Sequence, residues 1–276
     1  MNAQFSALFE QINQSYCSKV PPIKNTHEFI GKIVRLLFPI MENRSISTHE
    51  LESEFTQLQL HLKELLLPLD QIEDGDIDAI AERFFEQIPD IYEMLVEDAQ
   101  TILASDPAAN CLEEVVVSYP GFYALTIHRL AHLLYLEKVP HLPRVMSEYA
   151  HGRTGIDIHP GASIGKKFCI DHGTGIVIGE TVIIGNNVKI YQGVTLGATF
   201  VAKRLKDTKR HPTIEDNVIM YAGCSILGKD TIIGHDTTIG GNVWLTESVP
   251  SHSFVYSQQQ SVVRDNRDIS RASGKD

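Results

Sequence analysis

Two hydrophobic rhythms divide this chain. Up to about residue 150, apolar side chains recur at intervals of three and four. Phe29, Ile30, Ile33, Val34 and Leu37 do so within THEFIGKIVRLLFPIM, the spacing that lines one face of an α-helix. A Ser47–Glu50 capping-box pattern opens the stretch SISTHELESEFTQLQLHLKELLLPL, and Pro68 closes it. Asp76 is placed to cap IDAIAERFFEQ, and Pro89 suits the first turn of PDIYEMLVEDAQTILAS. Ser105 or Asp106, followed by Pro107, predicts a further helix start. GFYALTIHRLAHLLYLEK carries Phe122, Leu125, Leu130, Leu133 and Leu134 on or near one face. The pattern predicts about six to eight helices.

Beyond that point the period becomes six. Ile158, Ile164, Ile170 and Ile176 hold it; Ile178, Ile184, Ile190 and Leu196 resume it after a shift of two. Ile214, Met220 and Ile226 follow, then Leu227, Ile233, Ile239 and Leu245. A helix of 3.6 residues per turn cannot keep such positions on one face. A coil of short strands can: six residues make one side, and three sides make a triangular turn of ~18 residues, the hexapeptide β-helix. Four to five coils are expected, with Ile or Val inward and Gly, Asn or Asp at the corners. The periodicity leaves the handedness open. It breaks once, at GATFVAKRLKDTKRHPT, where Lys203, Arg204, Lys206, Lys209, Arg210 and His211 cluster. A cationic loop leaving a rigid coil points to an anionic ligand. The predicted organisation is a helical domain at 1–150, a β-helix at 151–255 with a loop excursion at 198–213, and a tail at 256–276.

Charge sharpens this division. The net charge is −11 over 276 residues, which argues against general nucleic-acid binding. The first 150 residues hold 10 Lys/Arg and 23 Asp/Glu, and 3 of the 19 glycines; the remainder holds 14, 12 and 16. No run approaches ~18 apolar residues, so no membrane span is expected. The start, MNAQFSALFEQINQ, lacks the basic and apolar regions of a secretory signal. The cysteines (17, 111, 169 and 224) form no CxxC pattern, which fits reduced thiols in a cytoplasmic protein.

The chemistry-bearing text is DIHPGASIGKKFCIDHGTGIVIGETVIIGNNVKIYQGVTLGAT, followed by RHPTIEDNVIMYAGCSILG. It closely resembles the serine O-acetyltransferase family of hexapeptide-repeat acyltransferases. The likeness extends upstream to ASDPAA and GFYALTIHRLAHLLY, over roughly residues 100–250. The resemblance implies a left-handed parallel β-helix, assembly as a homotrimer or a dimer of trimers, and transfer of acetyl from acetyl-CoA to the L-serine hydroxyl, giving O-acetylserine for cysteine synthesis. No tightly bound cofactor or metal is implied.

A serine hydroxyl needs a general base at neutral pH. By resemblance that base is His172, oriented by Asp157, which precedes it by close to one coil. Serine is a zwitterion and needs both signs of charge. The resemblance assigns Asp106 and Asp171 to its ammonium, Arg210 and His211 to its carboxylate, and Glu180 to support. Gly197, Ala198, Ala222 and Gly223 match positions that contact CoA in a groove between adjacent subunits. Inhibition by cysteine in the serine pocket is a further implied property. Two features depart from the family. Its Gly-x-Pro-Ala-Arg/Lys segment is replaced by SHSFVYSQQQSVVR, so the last part of the CoA site is expected to differ. Many members end in Ile, which enters cysteine synthase, whereas this chain ends RASGKD; that partnership is not expected.

The same residues admit other readings. A related acyltransferase would act on homoserine or another hydroxylated acceptor. A zinc-binding β-helix of the carbonic anhydrase kind would use three of His159, His172, His211 and His235, but no HxH or HxxxxH spacing supports this. A non-catalytic trimeric scaffold would have no use for the His172, Asp157 and Arg210–His211 set.

Overall fold

The computed structural model describes residues 3–14, 19–70, 72–199 and 208–258. Among these, eight α-helices precede fourteen short strands. The helices are α1 (Ala3–Gln14), α2 (Ile23–Leu37), α3 (Thr48–Leu66), α4 (Asp74–Glu86), α5 (Ile88–Ser105), α6 (Leu112–Ser118), α7 (Pro120–Leu136) and α8 (Leu142–Thr154). The Ser47–Glu50 capping box forms at the start of α3, each partner satisfying the other's backbone N–H. Two expected starts move. Helix α4 begins at Asp74, upstream of Asp76. No helix starts at Pro107: the Asp106 carboxylate accepts the Ala108 N–H at 2.8 Å and closes a turn instead, and α6 opens only at Leu112, after Cys111.

The strands wind into five coils. Strands β1 (Asp157–Ile158), β4 (Val177–Ile178), β7 (Thr195–Gly197), β10 (Ser225–Leu227) and β13 (Trp244–Leu245) stack into a first parallel sheet. A second holds β2 (Ser163–Ile164), β5 (Ile183–Ile184), β8 (Thr213–Ile214) and β11 (Ile232–Ile233). The third holds β3 (Cys169–Asp171), β6 (Lys189–Tyr191), β9 (Ile219–Met220), β12 (Thr238–Ile239) and β14 (Phe254–Val255). Ile158, Ile178, Leu196 and Ile226 align inside the first sheet, and Ile170, Ile190 and Met220 inside the third. All are buried, as the period of six predicts.

Corners need backbone that L-residues rarely adopt. One residue per coil has a positive φ where the second sheet turns into the third: Lys167, Asn187, Asn217, Asp236 and His252, between +55° and +60°. The opposite corner, from third sheet to first, stacks Gly175, Gly193 and Gly223, at +81°, +72° and +71°.

The helical region closes the lower end of the prism. Ala124 and Leu125 of α7 join the apolar core of the coils. Arg129 of α7 donates to the carbonyls of Ile164 and Gly165 and to Asp98 of α5, whose second oxygen accepts the Phe168 N–H. Both side chains of this ion pair are buried. It ties two helices to the first coil. No helix of the described residues is long and apolar enough to cross a membrane.

Candidate active site

His172 stands where the third sheet turns into the first. Its φ is +60° and that of Gly173 is +94°, and the Gly173 N–H reaches back to the Asp171 carbonyl at 2.8 Å. A Cβ on Gly173 would meet Ile156 Cδ1 at 2.5 Å, so only glycine completes this turn. The turn throws the imidazole outward, with 73% of the side chain exposed. A similar φ recurs at the other corner, at Lys167, Asp236 and His252; what sets His172 apart is the cleft it overlooks. That cleft, of about 410 Å³, is lined by Asp106, Tyr119, Asp171 and His172 among others.

Both acids of this cleft are engaged. Asp171 lies 3.6 Å from His172 Nε2 and 3.0 Å from Lys189 Nζ. Burial works against the Lys189 charge, but its bonds to Tyr191 and Asp171 outweigh that and raise its pKa. The same ammonium donates to the Ser105 carbonyl at 3.2 Å. Asp106 accepts from Tyr119 Oη at 2.7 Å; this bond and that from Ala108 N–H hold its carboxyl below the usual range. The Tyr119 phenol is pushed up to about 12 in return.

A second polar cluster sits at the next corner, where the first sheet turns into the second. Arg210 pairs with Glu180, and Glu180 also accepts from Tyr135 Oη at 3.0 Å. Burial opposes the Glu180 charge, yet the Arg210 and Tyr135 bonds prevail and lower its pKa. Thr181 organises the neighbouring backbone: its Oγ accepts from Arg210 N–H and His211 N–H. The Thr181 N–H donates to His211 Nδ1 at 3.1 Å, which puts the proton of the neutral ring on Nε2. Burial, reinforced by Arg210 and Lys209, lowers the His211 pKa to about 4. The ring rests on Gly179, where a Cβ would stand 2.2 Å from it.

The expected site residues thus gather in two groups within one chain. Asp106, Asp171 and His172 meet at one corner; Glu180, Arg210 and His211 meet at another. The CoA-matching positions divide the same way. Gly197 ends β7 at the Arg210 corner with Ala198 beside it. Gly223 stacks on Gly193 at the His172 corner, and Ala222 accepts from the Asn242 N–H there. Asp157 joins neither group: its carboxylate lies near Glu148 and His151, all donor atoms within 4.8 Å of one another. Asp157 opens β1 on the first sheet, whereas His172 follows β3 at the corner from third sheet to first. The first coil is longer than the nominal turn, since Ile158 pairs with Ile178, so the step from Asp157 to His172 falls nearly one side short.

The four histidines considered for zinc also diverge, His159 and His211 at one corner, His172 and His235 at the other two. Lys203, Arg204 and Lys206 lie outside the described residues. Lys189, Tyr119, Tyr135 and Thr181 were not singled out from sequence. Lys189 reaches Asp171 because its β6 pairs in register with the β3 that carries Asp171, a signal that exists only between coils. Among the described residues Cys111, Cys169 and Cys224 are unpaired.

No protein-family model matches the chain. Individual proteins do. It is 49% identical over 185 residues to a plasmid-encoded serine acetyltransferase of Synechococcus elongatus, covering 65% of this chain and 58% of that one. It is 45% identical over 175 residues to the Bacillus subtilis serine acetyltransferase, covering 63% of this chain and 78% of that one. The chain belongs to the serine acetyltransferase family. Solved structures agree with this placement. Entamoeba histolytica serine acetyltransferase 1, in complex with L-cysteine, aligns with a TM-score of 0.77 at 38% identity over 83% of this chain and 86% of that one. A Neisseria gonorrhoeae serine acetyltransferase in complex with serine gives 0.60 at 26% over 83% and 95%. A truncated serine acetyltransferase in complex with CoA gives 0.57 at 29% over 82% and 95%. Serine acetyltransferases are CoA-dependent acyltransferases, and the helical region followed by a β-helix of about five turns is an architecture that these neighbours share.

Proposed function

We propose that this chain acetylates the hydroxyl of L-serine with acetyl-CoA, and that His172 is the general base. The imidazole takes the hydroxyl proton as the oxygen attacks the thioester carbonyl. The tetrahedral adduct then expels the CoA sulfur, which recovers that proton. One observation carries the assignment: a strained turn holds an accessible imidazole over a cleft walled by Asp106 and Asp171. Those carboxylates suit the substrate ammonium. Arg210, held by Glu180, suits its carboxylate through a paired contact. Cysteine, an isostere of serine at every charged group, is expected to compete in the same place.

The two halves belong, in this reading, to different copies of the chain. A side of six residues at ~3.3 Å each approaches ~20 Å, too far for a single serine to span. A homotrimer that sets the His172 corner of one copy against the Arg210 corner and Asp157 of the next completes the pocket. The glycine column at Gly175, Gly193 and Gly223 then leaves a strip without side chains above His172, suited to the slender pantetheine arm of CoA.

Two experiments test this. In a thiol-release assay with acetyl-CoA and L-serine, His172→Ala is expected to lose on the order of 10²–10⁴ in kcat; near-normal turnover would overturn the base assignment. L-homoserine in parallel decides the acceptor. Co-refolding His172→Ala with Arg210→Ala in equal amounts is expected to restore about a quarter of normal activity, because a quarter of shared sites regain both groups. No restoration would place both groups in one chain.

A further inference from the structure

We propose that His235, Asp236 and His252 form a binding site for a divalent first-row metal ion that clamps the last coil to the one below it. The site lies where the second sheet turns into the third, on the two uppermost coils and away from the corners that carry the active-site groups.

The backbone builds it. At this corner each coil donates one N–H to the coil beneath: Asn187 to Lys166, Asn217 to Asn186, Asp236 to Asp216 and His252 to His235. The residues with positive φ stack into a side-chain column. Asn187 Nδ2 donates to Asn217 Oδ1 at 2.8 Å, and Asn217 Nδ2 donates to Asp236 Oδ1 at 3.0 Å. The column ends at Asp236 and His252, with His235 alongside. His235 Nδ1 lies 2.7 Å and His252 Nδ1 3.7 Å from the same oxygen, Asp236 Oδ2. The two rings stand nearly perpendicular, 87° apart, at 4.8 Å between centroids, and one donor atom from each of the three side chains lies within 4.8 Å of the other two.

Two imidazoles and a carboxylate suit zinc, nickel, cobalt or copper rather than calcium or magnesium. A tetrahedral ion with bonds of ~2.0–2.1 Å spaces its donors about 3.3 Å apart; separations of 2.7 and 3.7 Å straddle that value. The remaining carboxylate oxygen is already fixed by Asn217, and the backbone N–H of His235 donates to the Glu215 carboxylate at 2.9 Å, which holds the main chain that carries the ring. Such supporting bonds orient ligands before the ion arrives. All three side chains are exposed, so a fourth position is open to water. Among the described residues the other converging cluster, Glu148 with His151 and Asp157, offers one imidazole and no such supporting column.

The ion would have structural work to do. Strand β14 pairs with β12 through Phe254 and Val255, and the second sheet contributes to this coil only a bridge between Ile233 and Val249. His252 belongs to that sparsely paired coil; His235 and Asp236 belong to the coil below.

Titration of the purified full chain with Zn²⁺ and, spectroscopically, with Co²⁺ tests the proposal. One ion per chain is expected, with affinity weakened tenfold or more in His252→Ala and in Asp236→Asn, while far-UV circular dichroism stays unchanged. Zn²⁺ is also expected to slow amide exchange at Phe254 and Val255 in the wild type and not in His252→Ala. Absence of binding at submillimolar Zn²⁺, unchanged stoichiometry and affinity in both variants, or exchange at β14 indifferent to the ion would each overturn it. Serine acetylation is not the readout, so failure here leaves the active-site assignment intact.

Discussion

Asp98→Ala is expected to loosen the joint between helices and coil by several kcal/mol. The wild-type carboxylate is fully buried and makes two bonds, from Arg129 Nε at 2.8 Å and from the Phe168 N–H at 2.9 Å. Removing one member of a buried ion pair costs ~3–5 kcal/mol, because the other charge stays behind. An orphaned buried N–H costs about 1–3 kcal/mol more when counted alone. Arg129 keeps its bonds to Ile164 and Gly165, which offsets part of this. A net loss of ~3–5 kcal/mol follows, against a typical total of about 5–15 kcal/mol. Asp98→Asn retains an acceptor for Phe168 and is expected to lose about half as much. Urea unfolding followed by far-UV circular dichroism, at one fixed protein concentration, measures the series. An alanine variant within about 1 kcal/mol of wild type, or an asparagine variant less stable than alanine, would refute the reasoning.

Three further outcomes are expected. Glu180→Gln weakens the ion pair with Arg210 and Tyr135→Phe removes a bond that steadies Glu180; the KM for serine is expected to rise in both while kcat changes less, and the reverse split would contradict a role in holding the carboxylate. Lys189→Met removes a resident ammonium from Asp171; at about 1 kcal/mol for a partly exposed pair, the serine KM is expected to fall about fivefold, with a rise counting against Asp171 as the ammonium site. His211 has its pKa lowered to about 4 by burial. Between that value and the ordinary one near 6.5, the unfolded chain holds a proton that the folded chain refuses. Its contribution to stability is thus complete above pH ~6.5 and is lost as the pH falls towards 4. His211→Gln is expected to flatten the urea midpoint over that window, leaving the part due to His128, His159 and His61, which burial shifts the same way; an unchanged slope would refute it.

The prism was legible because its inward positions tolerate few residue types. Ile158, Ile178 and Leu196 must each fill one narrow interior, so the repeat is written directly in the apolar residues. Groups on the outer surface follow a different logic. Asp157 and His172 looked one coil apart because three hexapeptides make a nominal turn, yet the first coil runs on from Ile158 to Ile178 before it closes. The hold of Lys189 on Asp171 depends on register between coils, which local pattern does not encode. The missing helix at Pro107 shows a competition that the sequence leaves undecided: Asp106 satisfies a nearby N–H in a turn as readily as it caps a helix. His235 and His252 are well separated in the chain and become neighbours only through stacking.

The coil that carries Arg210 is the long one: Leu196 pairs with Ile226, whereas the circuit before it closes between Ile178 and Leu196. Polymer theory makes that detour inexpensive. Loop closure scales with (3/2)RT ln n, so lengthening one circuit by about two thirds costs only about 0.5 kcal/mol. Changes in chain length ahead of the anchored Lys209–His211 segment therefore carry little loop-closure toll. The scaffold's rigidity and the adaptability of what it presents to an acceptor are nearly independent quantities, and new specificities are best sought by recutting this one excursion.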